Sequence, residues 1–189
     1  IPDPLERTKY QFIAWDGSHA MFDWYSSSSI PDPDGDQYGA TAGDDYVVLV
    51  ADVYGKGKRP KNAKEAGAFA GGLRGDDRTR LRARMDGAVA ALKAQAAKSP
   101  LDAGRIGALG FCFGGSAVLE LAREGSELAG VVSLHGGIAP GAKSATAAEV
   151  KTPVLVLNGA ADKAVSDADI LAFEKEMGAA GADWQFVDF

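Results

Sequence analysis

The stretch from residue 106 to residue 123 constrains the fold of this chain more than any other. A short apolar run begins at Ile106, glycines at positions 110, 114 and 115 surround Cys112, and a segment of helical composition ends at Arg123. This order predicts a strand, a sharp turn and a helix. The middle residue of such a turn is strained, and glycines beside it avoid collisions with neighbouring backbone. We therefore expect Cys112 at the exposed tip of the turn.

The chemistry of this turn follows from its position before a helix. The first N–H groups of a helix have no intrahelical acceptor, and they can bind the oxyanion that forms when a nucleophile attacks a carbonyl carbon. The N–H of Phe113 directly follows Cys112 and is the best placed donor. The pattern is that of a nucleophile elbow with cysteine in place of serine, which favours acyl transfer. The alternative is a cysteine that only fills space in a glycine-rich turn.

Length and charge narrow the classes of partner. The 189 residues suit one domain, and a content of 46% hydrophobic and 24% charged residues is ordinary for a globular protein. The net charge of -6 argues against nucleic acid and anionic membranes as partners. A small molecule is the expected partner.

The single cysteine also bears on compartment and metal content. One cysteine cannot form an internal disulfide, and no apolar run is long enough to span a bilayer. No cleavable signal pattern opens the sequence. These observations favour a cytoplasmic protein. No metal site is expected, because paired cysteines and a His–Cys spacing are both lacking.

Strand patterns alternate with helix patterns along the chain. Residues 9–15 are expected to form an antiparallel hairpin with residues 20–25, and the polar stretch 26–43 is expected to be a loop. Further strands are predicted at residues 46–52, 128–134 and 152–158 and from residue 183, and helices at 63–70, after residue 77 and after residue 166. The alternation predicts an α/β fold, with a mostly parallel sheet, helices on both faces and an antiparallel N-terminal hairpin.

Four arginines alternate along the helix that is expected after residue 77. Apolar residues recur at helical spacing and should face the core at Leu81, Met85, Val89 and Leu92. The arginines at positions 78, 80, 82 and 84 lie mostly off that stripe. Such a cluster can bind phosphate, but interleaved arginines more often form a solvated helix face, and we expect a solvated face.

Four other polar residues come at or just past the ends of predicted strands, as Cys112 does. They are Asp52, Tyr54, His135 and Asp162. Ligands bind at the carboxyl ends of the strands in sheets of this kind. Asp162 follows the nucleophile in the chain order of nucleophile and acid, which favours a catalytic acid over a turn residue that bonds its own backbone. For His135, and for His19 in the predicted hairpin, a non-catalytic place in a loop is the expected interpretation.

Three segments together resemble the dienelactone hydrolase family of α/β hydrolases. They are residues 110–115 around the cysteine, residues 157–165 around Asp162 and residues 50–56. The resemblance runs from about residue 46 to the end of the sequence. It implies that Cys112 is the nucleophile and Asp162 the acid. It also implies hydrolysis of a lactone or a carboxylic ester through an acyl-cysteine intermediate, without a cofactor.

The sequence departs from the family pattern in two places. The family's histidine comes after the final strand, and Phe189 lies within that strand. The family also has a buried strand before the one at 46–52, and the loop after that strand supplies a second oxyanion donor and a glutamate. Residues 26–43 offer no counterpart. We therefore expect that a strand and loop between about residues 26 and 45, and a segment after residue 189, are missing from this sequence.

Two other functions compete with hydrolysis. A catalytically crippled relative could act as a binding or thiol redox-sensing module, because a reactive cysteine without a histidine can sense oxidants. A nucleotide-binding domain would need G-x-G-x-x-G or a Walker lysine at the turn, and the sequence has neither there. Hydrolysis of a small ester or lactone is the function that the sequence favours.

Overall fold

Eight strands form one sheet in the computed structural model, which describes residues 10–15, 29–31, 37–39, 46–55, 58–97, 102–141 and 150–189. In chain order they are β1 (Tyr10–Trp15), β2 (Ser29–Pro31), β3 (Gln37–Gly39), β4 (Tyr46–Val50), β5 (Ile106–Phe111), β6 (Gly130–Leu134), β7 (Val154–Asn158) and β8 (Trp184–Asp188). Their order across the sheet is β2-β3-β4-β1-β5-β6-β7-β8. From β4 to β8 in that order, every neighbouring pair is parallel.

Helices connect these strands within the described ranges. They are α1 (Ala63–Arg74), α2 (Thr79–Gln95), α3 (Phe113–Arg123) and α4 (Asp167–Ala179), and a 3-10 turn at Asp76–Arg78 separates α1 from α2. Ser166 and Asp169 form a capping box that fixes the start of α4, where the sequence predicted one. No described helix has the length and apolar character needed to cross a membrane. The predicted α/β fold with a mostly parallel sheet is confirmed.

The structure corrects the predicted place of the antiparallel hairpin. β1 lies between β4 and β5 and is parallel to both, with Gln11 opposite Val47 on one side and Ile106 on the other. The antiparallel pairs are β2 with β3 and β3 with β4, and both β2 and β3 lie within the stretch that was expected to be a loop. Residues 20–25 lie outside the described part of the chain. Hairpin signals are local, so they do not reveal a strand whose partners lie far along the chain.

The described helices form one layer on one face of the sheet. α3 packs on β5 and β6, and Arg123 of α3 forms an ion pair with Glu176 of α4 at 2.8 Å. In α4, Phe173 packs edge-on against Trp184 of β8, with 5.8 Å between ring centroids. Alternate residues of β5, β6 and β7 are buried, whereas the residues between them are only half-buried. A second helical layer is not found among the described residues, so helices on both faces stay a prediction, as do the segments expected to be missing.

Two of the four alternating arginines are half-buried and ion-paired, which corrects the prediction of a solvated face. Arg78 and Arg82 expose only 17% and 12% of their side chains, and both form ion pairs with the fully buried carboxylate of Glu120. Arg80 is 61% exposed, as a solvated face requires. The predicted apolar stripe is buried at Leu81, Met85, Val89 and Leu92. The spacing of apolar residues identified the core face of α2. It could not reveal that Glu120 of α3 lies beside this face, because that contact depends on how the two helices pack.

Candidate active site

Cys112 lies at the tip of the turn between β5 and α3, where the sequence predicts it. Its side chain is exposed, and its backbone has φ 54° and ψ -118°, a conformation that residues with a side chain rarely adopt. Its N–H donates to the carbonyl oxygen of Leu134 at 3.0 Å, and its own carbonyl oxygen accepts from the N–H of Ser116 at 3.3 Å. Both β6 and α3 therefore hold the strained turn in place.

Gly110 lets the first turn of α3 fold back over the end of β5. A Cβ added to Gly110 would lie 2.1 Å from the carbonyl oxygen of Gly114 and 2.7 Å from the nitrogen of Gly115. No side chain fits in that space. The predicted reason for a glycine at this position is therefore confirmed by the distances.

Phe113 is held by two side chains from other parts of the sequence, and a third supports one of them. The ring of Tyr54, in the segment after β4, stacks on the Phe113 ring with 6.0 Å between centroids and 12° between planes. Phe69 of α1 meets Tyr54 edge-on at 5.4 Å. The guanidinium of Arg74 lies 4.9 Å from the centroid of the Phe113 ring, a cation–π contact. The residue that follows the cysteine is thus fixed between the end of β4 and α1.

The hydroxyl group of Tyr54 responds to the charges of the same region. Burial raises the pKa of Tyr54, the positive charge of Arg74 lowers it and Cys112 raises it, so the pKa lies above its usual 10.0. Tyr54 therefore keeps its proton at neutral pH and can donate a hydrogen bond. The Phe113 ring, which contacts both Tyr54 and Arg74, brings these two side chains together next to Cys112. Local sequence patterns placed only Tyr54 near the site and gave no signal for Arg74.

His135 and Asp162 follow the carboxyl ends of β6 and β7, at the same end of the parallel strands as Cys112. His135 is exposed and has φ 40°. Asp162 is half-buried in a turn, where its Oδ1 accepts from the N–H of Ala164 at 2.9 Å. Within the described residues, no hydrogen bond or ion pair joins Asp162 to His135 or to Cys112. The turn role of Asp162 is therefore observed, and its role as catalytic acid stays a prediction.

Metal-ligating side chains do not cluster around Cys112 in the part of the chain that the structure describes. The described ranges hold no group of three or more His, Cys, Asp and Glu side chains that could bind a metal ion. His19 lies outside those ranges.

The site suits attack on a carbonyl group. It combines the exposed sulfur of Cys112, the start of a helix beside it and the aromatic cluster around Phe113.

The same fold recurs in known proteins. The profile of the dienelactone hydrolase family matches residues 38–189. An uncharacterised protein of Caenorhabditis elegans is 33% identical over 113 residues, which cover 59% of this chain and 70% of that protein. A dienelactone hydrolase-like promiscuous phosphotriesterase from metagenomic libraries has a TM-score of 0.72 at 27% identity, with 96% of this chain and 70% of that chain covered. A phospholipase/carboxylesterase from Dyadobacter fermentans shares the fold, with a TM-score of 0.58 at 16% identity and coverage of 99% and 83%.

Proposed function

This chain belongs to the dienelactone hydrolase family, and we propose that it opens a lactone or cleaves a small carboxylic ester through an acyl-cysteine intermediate on Cys112. The observation that carries the proposal is the exposed, strained cysteine at the start of α3. Such a turn presents a nucleophile in the open, and the N–H groups at the start of the helix lie where negative charge develops during acyl transfer.

The proposed reaction has two steps. The sulfur of Cys112 attacks the carbonyl carbon, the bond from that carbon to the leaving oxygen breaks, and the leaving oxygen takes up the proton that the thiol releases. Water then attacks the thioester, which restores the thiol and releases the carboxylic acid. In both steps the N–H of Phe113 binds the oxyanion. Asp162 orients the histidine that relays the protons, which the family pattern puts after the final strand.

The side of the turn where Arg74 lies is the surface that we assign to the bound ester. The buried rings of Phe113 and Tyr54 pack behind the turn, and the exposed guanidinium of Arg74 provides a polar group beside it. Small-molecule sites commonly combine an apolar lining with a few polar groups that fix orientation. Activated esters and lactones are the proposed substrates rather than amides, because sulfur attack on them needs less assistance.

We also propose that the substrate is a small molecule, that no cofactor is needed and that the reaction takes place in the cytoplasm. The net charge of -6 supports a small-molecule substrate rather than nucleic acid or an anionic membrane as partner. No cofactor takes part in the two steps. We assign the reaction to the cytoplasm, because a chain with a single cysteine has no internal disulfide that would need an oxidising compartment.

A second candidate function is a catalytically crippled relative that binds a ligand or senses oxidants through Cys112. The exposure of the cysteine favours it, together with the lack of a hydrogen bond from Asp162 to a histidine within the described ranges. In this case hydrogen peroxide would transfer one oxygen atom to the sulfur, forming a sulfenic acid and water.

Hydrolysis assays with Cys112→Ala separate the two candidates. We expect the wild type to hydrolyse a chromogenic ester, a dienelactone or both, and Cys112→Ala to hydrolyse neither. Glu174→Ala, an exposed change on α4, is the matched control and should keep the wild-type rate. The hydrolase proposal fails if the wild type is inactive on both substrates or if Cys112→Ala keeps its rate. A peroxide-dependent gain of one oxygen atom on Cys112 in an inactive wild type would support the sensor.

A further inference from the structure

His135 lies beside Cys112, where the parallel strands β5 and β6 end. Phe111 at the end of β5 pairs with Leu134 at the end of β6, and the next residues along the two strands are Cys112 and His135. The hydrogen bond from the N–H of Cys112 to Leu134 continues this register past the end of β5. Because Leu134 immediately precedes His135, this 3.0 Å hydrogen bond holds the backbones of Cys112 and His135 next to each other.

The backbone of His135 is strained. Its φ of 40° lies in the left-handed region, which costs free energy for any residue with a Cβ. Glycine would occupy the same conformation without that cost. Cys112, with φ 54°, is strained in the same sense on the neighbouring strand. Residues in such sparsely populated backbone conformations cluster at active sites and ligand-binding sites, so two neighbouring ones beside an exposed cysteine point to a functional role.

The segment that carries His135 is fixed on several sides. The N–H of His135 donates to the carbonyl oxygen of Leu157 in β7 at 2.9 Å. Further along, the carbonyl oxygen of Ile138 accepts from Nη2 of Arg123 at 2.7 Å, and that of Ala139 accepts from Nη2 of Arg78 at 2.8 Å. Backbone strain persists when the surroundings over-determine the conformation, and this segment meets that condition.

The two arginines are themselves held by buried carboxylates. Arg123 is 1% exposed and forms ion pairs with Glu120 and Glu176, whose side chains are 0% and 2% exposed. Arg78 also pairs with Glu120. Guanidinium groups fixed in this way have little freedom to let the carbonyl oxygens of Ile138 and Ala139 move. A rigid support of this kind holds a side chain in a productive position.

We propose that His135 is a further catalytic residue, whose imidazole contacts the ester bound at Cys112 and donates a hydrogen bond to an oxygen atom of that ester. The inference rests on the proposed hydrolase function. It replaces the interpretation of His135 as a loop residue, which the sequence favoured. His135 is exposed at the site, so its ring is open to a bound molecule. A neutral imidazole carries one N–H donor, which is sufficient for this contact.

His135→Gly tests the inference, because it removes the ring and the strain together. We expect kcat/KM for the ester to fall about tenfold, the effect of losing a hydrogen bond to a bound substrate. The melting temperature should stay level or rise, because glycine fits the backbone conformation. His135→Asn, which also tolerates this conformation but has a shorter side chain, should lose a similar part of kcat/KM.

Asp76→Gly is the matched control. Asp76 has φ 47° in the turn before α2, so the change also relieves strain, but the activity should stay at the wild-type level. The rate at which iodoacetamide alkylates Cys112 distinguishes contact from distortion, and it should be unchanged in His135→Gly.

Either of two results would overturn the inference. One is a wild-type kcat/KM in His135→Gly. The other is an alkylation rate that falls in parallel with kcat/KM, since His135 would then act only by shaping the elbow. If the hydrolase function itself is wrong, the wild type hydrolyses no ester, and that result differs from both outcomes above.

Discussion

Gly115 at the start of α3 and Gly136 after β6 meet backbone to backbone. A Cβ added to Gly136 would lie 2.7 Å from the carbonyl carbon of Gly115 and 2.7 Å from the nitrogen of Ser116. Real Cβ atoms do not approach other atoms so closely. The first turn of α3 and the segment after β6 are therefore in direct backbone contact, and a side chain added at position 136 must displace one of them.

Gly136→Ala should lower the free energy of unfolding by about 2 kcal/mol, the usual cost of overpacking. Urea denaturation measures this as a lower midpoint. Gly178→Ala is the control, because a Cβ at Gly178 in α4 meets no atom within 4 Å. Alanine is also the better helix former, so this control should be neutral or stabilising. Equal midpoints for the two variants would contradict the close contact.

Cys112→Gly should be more stable than Cys112→Ala. Both variants remove the sulfur, but only glycine relieves the backbone strain at φ 54° and ψ -118°. The expected difference is about 1 to 3 kcal/mol in the free energy of unfolding. Thermal and urea unfolding of the pair measure it directly, and neither variant should hydrolyse an ester. If the glycine variant is no more stable than the alanine variant, the cysteine backbone is not strained.

Asp162→Asn should abolish most activity while leaving the fold intact. The amide oxygen of asparagine can still accept the N–H of Ala164, so the turn is preserved. A neutral side chain, however, no longer fixes the tautomer of a histidine or stabilises its charged form, which should reduce kcat by on the order of a hundredfold or more. Circular dichroism should match the wild type. Asp167→Asn, an exposed change in the first turn of α4, serves as control, and wild-type kinetics for Asp162→Asn would restrict Asp162 to the turn.

Glu120→Gln should destabilise the protein at neutral pH and less so in acid. Burial raises the pKa of Glu120, but Arg123 and Arg78 outweigh burial and hold it below its usual 4.5. A carboxyl group with a lowered pKa stabilises the folded state above its unfolded-state pKa, and this contribution is lost as the pH falls through the folded-state pKa. Removing one partner of a buried ion pair costs about 3 kcal/mol at neutral pH.

Urea unfolding of this variant and the wild type, from about pH 7 to about pH 3, checks the sign. The difference in unfolding free energy should narrow as the pH falls below the usual value of 4.5. Glu127→Gln is the control, because Glu127 forms only an exposed ion pair with Lys151 and should contribute little at any pH. A difference between wild type and Glu120→Gln that is constant with pH would mean that Glu120 does not titrate as an ion-paired carboxylate.

Local sequence patterns predicted the helices, strands and turns better than the contacts between distant parts of the chain. The spacing of apolar residues identified the buried stripe of α2, and the glycines identified the turn at Cys112, because both depend on neighbours within a few residues. The ion pairs of Arg78 and Arg82 with Glu120 depend on the packing of α2 against α3, and no local pattern encodes that. The strain at His135 was missed for the same reason. Its cause lies in Leu157, Arg123 and the close contact of Gly136, which the fold alone brings together.

The central position of β1 determines when this protein can begin to fold during synthesis. Of the described strands β1 is made first, but its partner β5 comes from a much later part of the sequence, and β4 is made in between. Until β5 emerges, β4 already has both of its neighbours, β3 and β1, but β1 still exposes one unpaired edge, and an exposed edge can pair with other chains. Long-range pairing of this kind also slows folding. Cys112 is the residue made immediately after β5, so the nucleophile appears at the moment when the centre of the sheet can close.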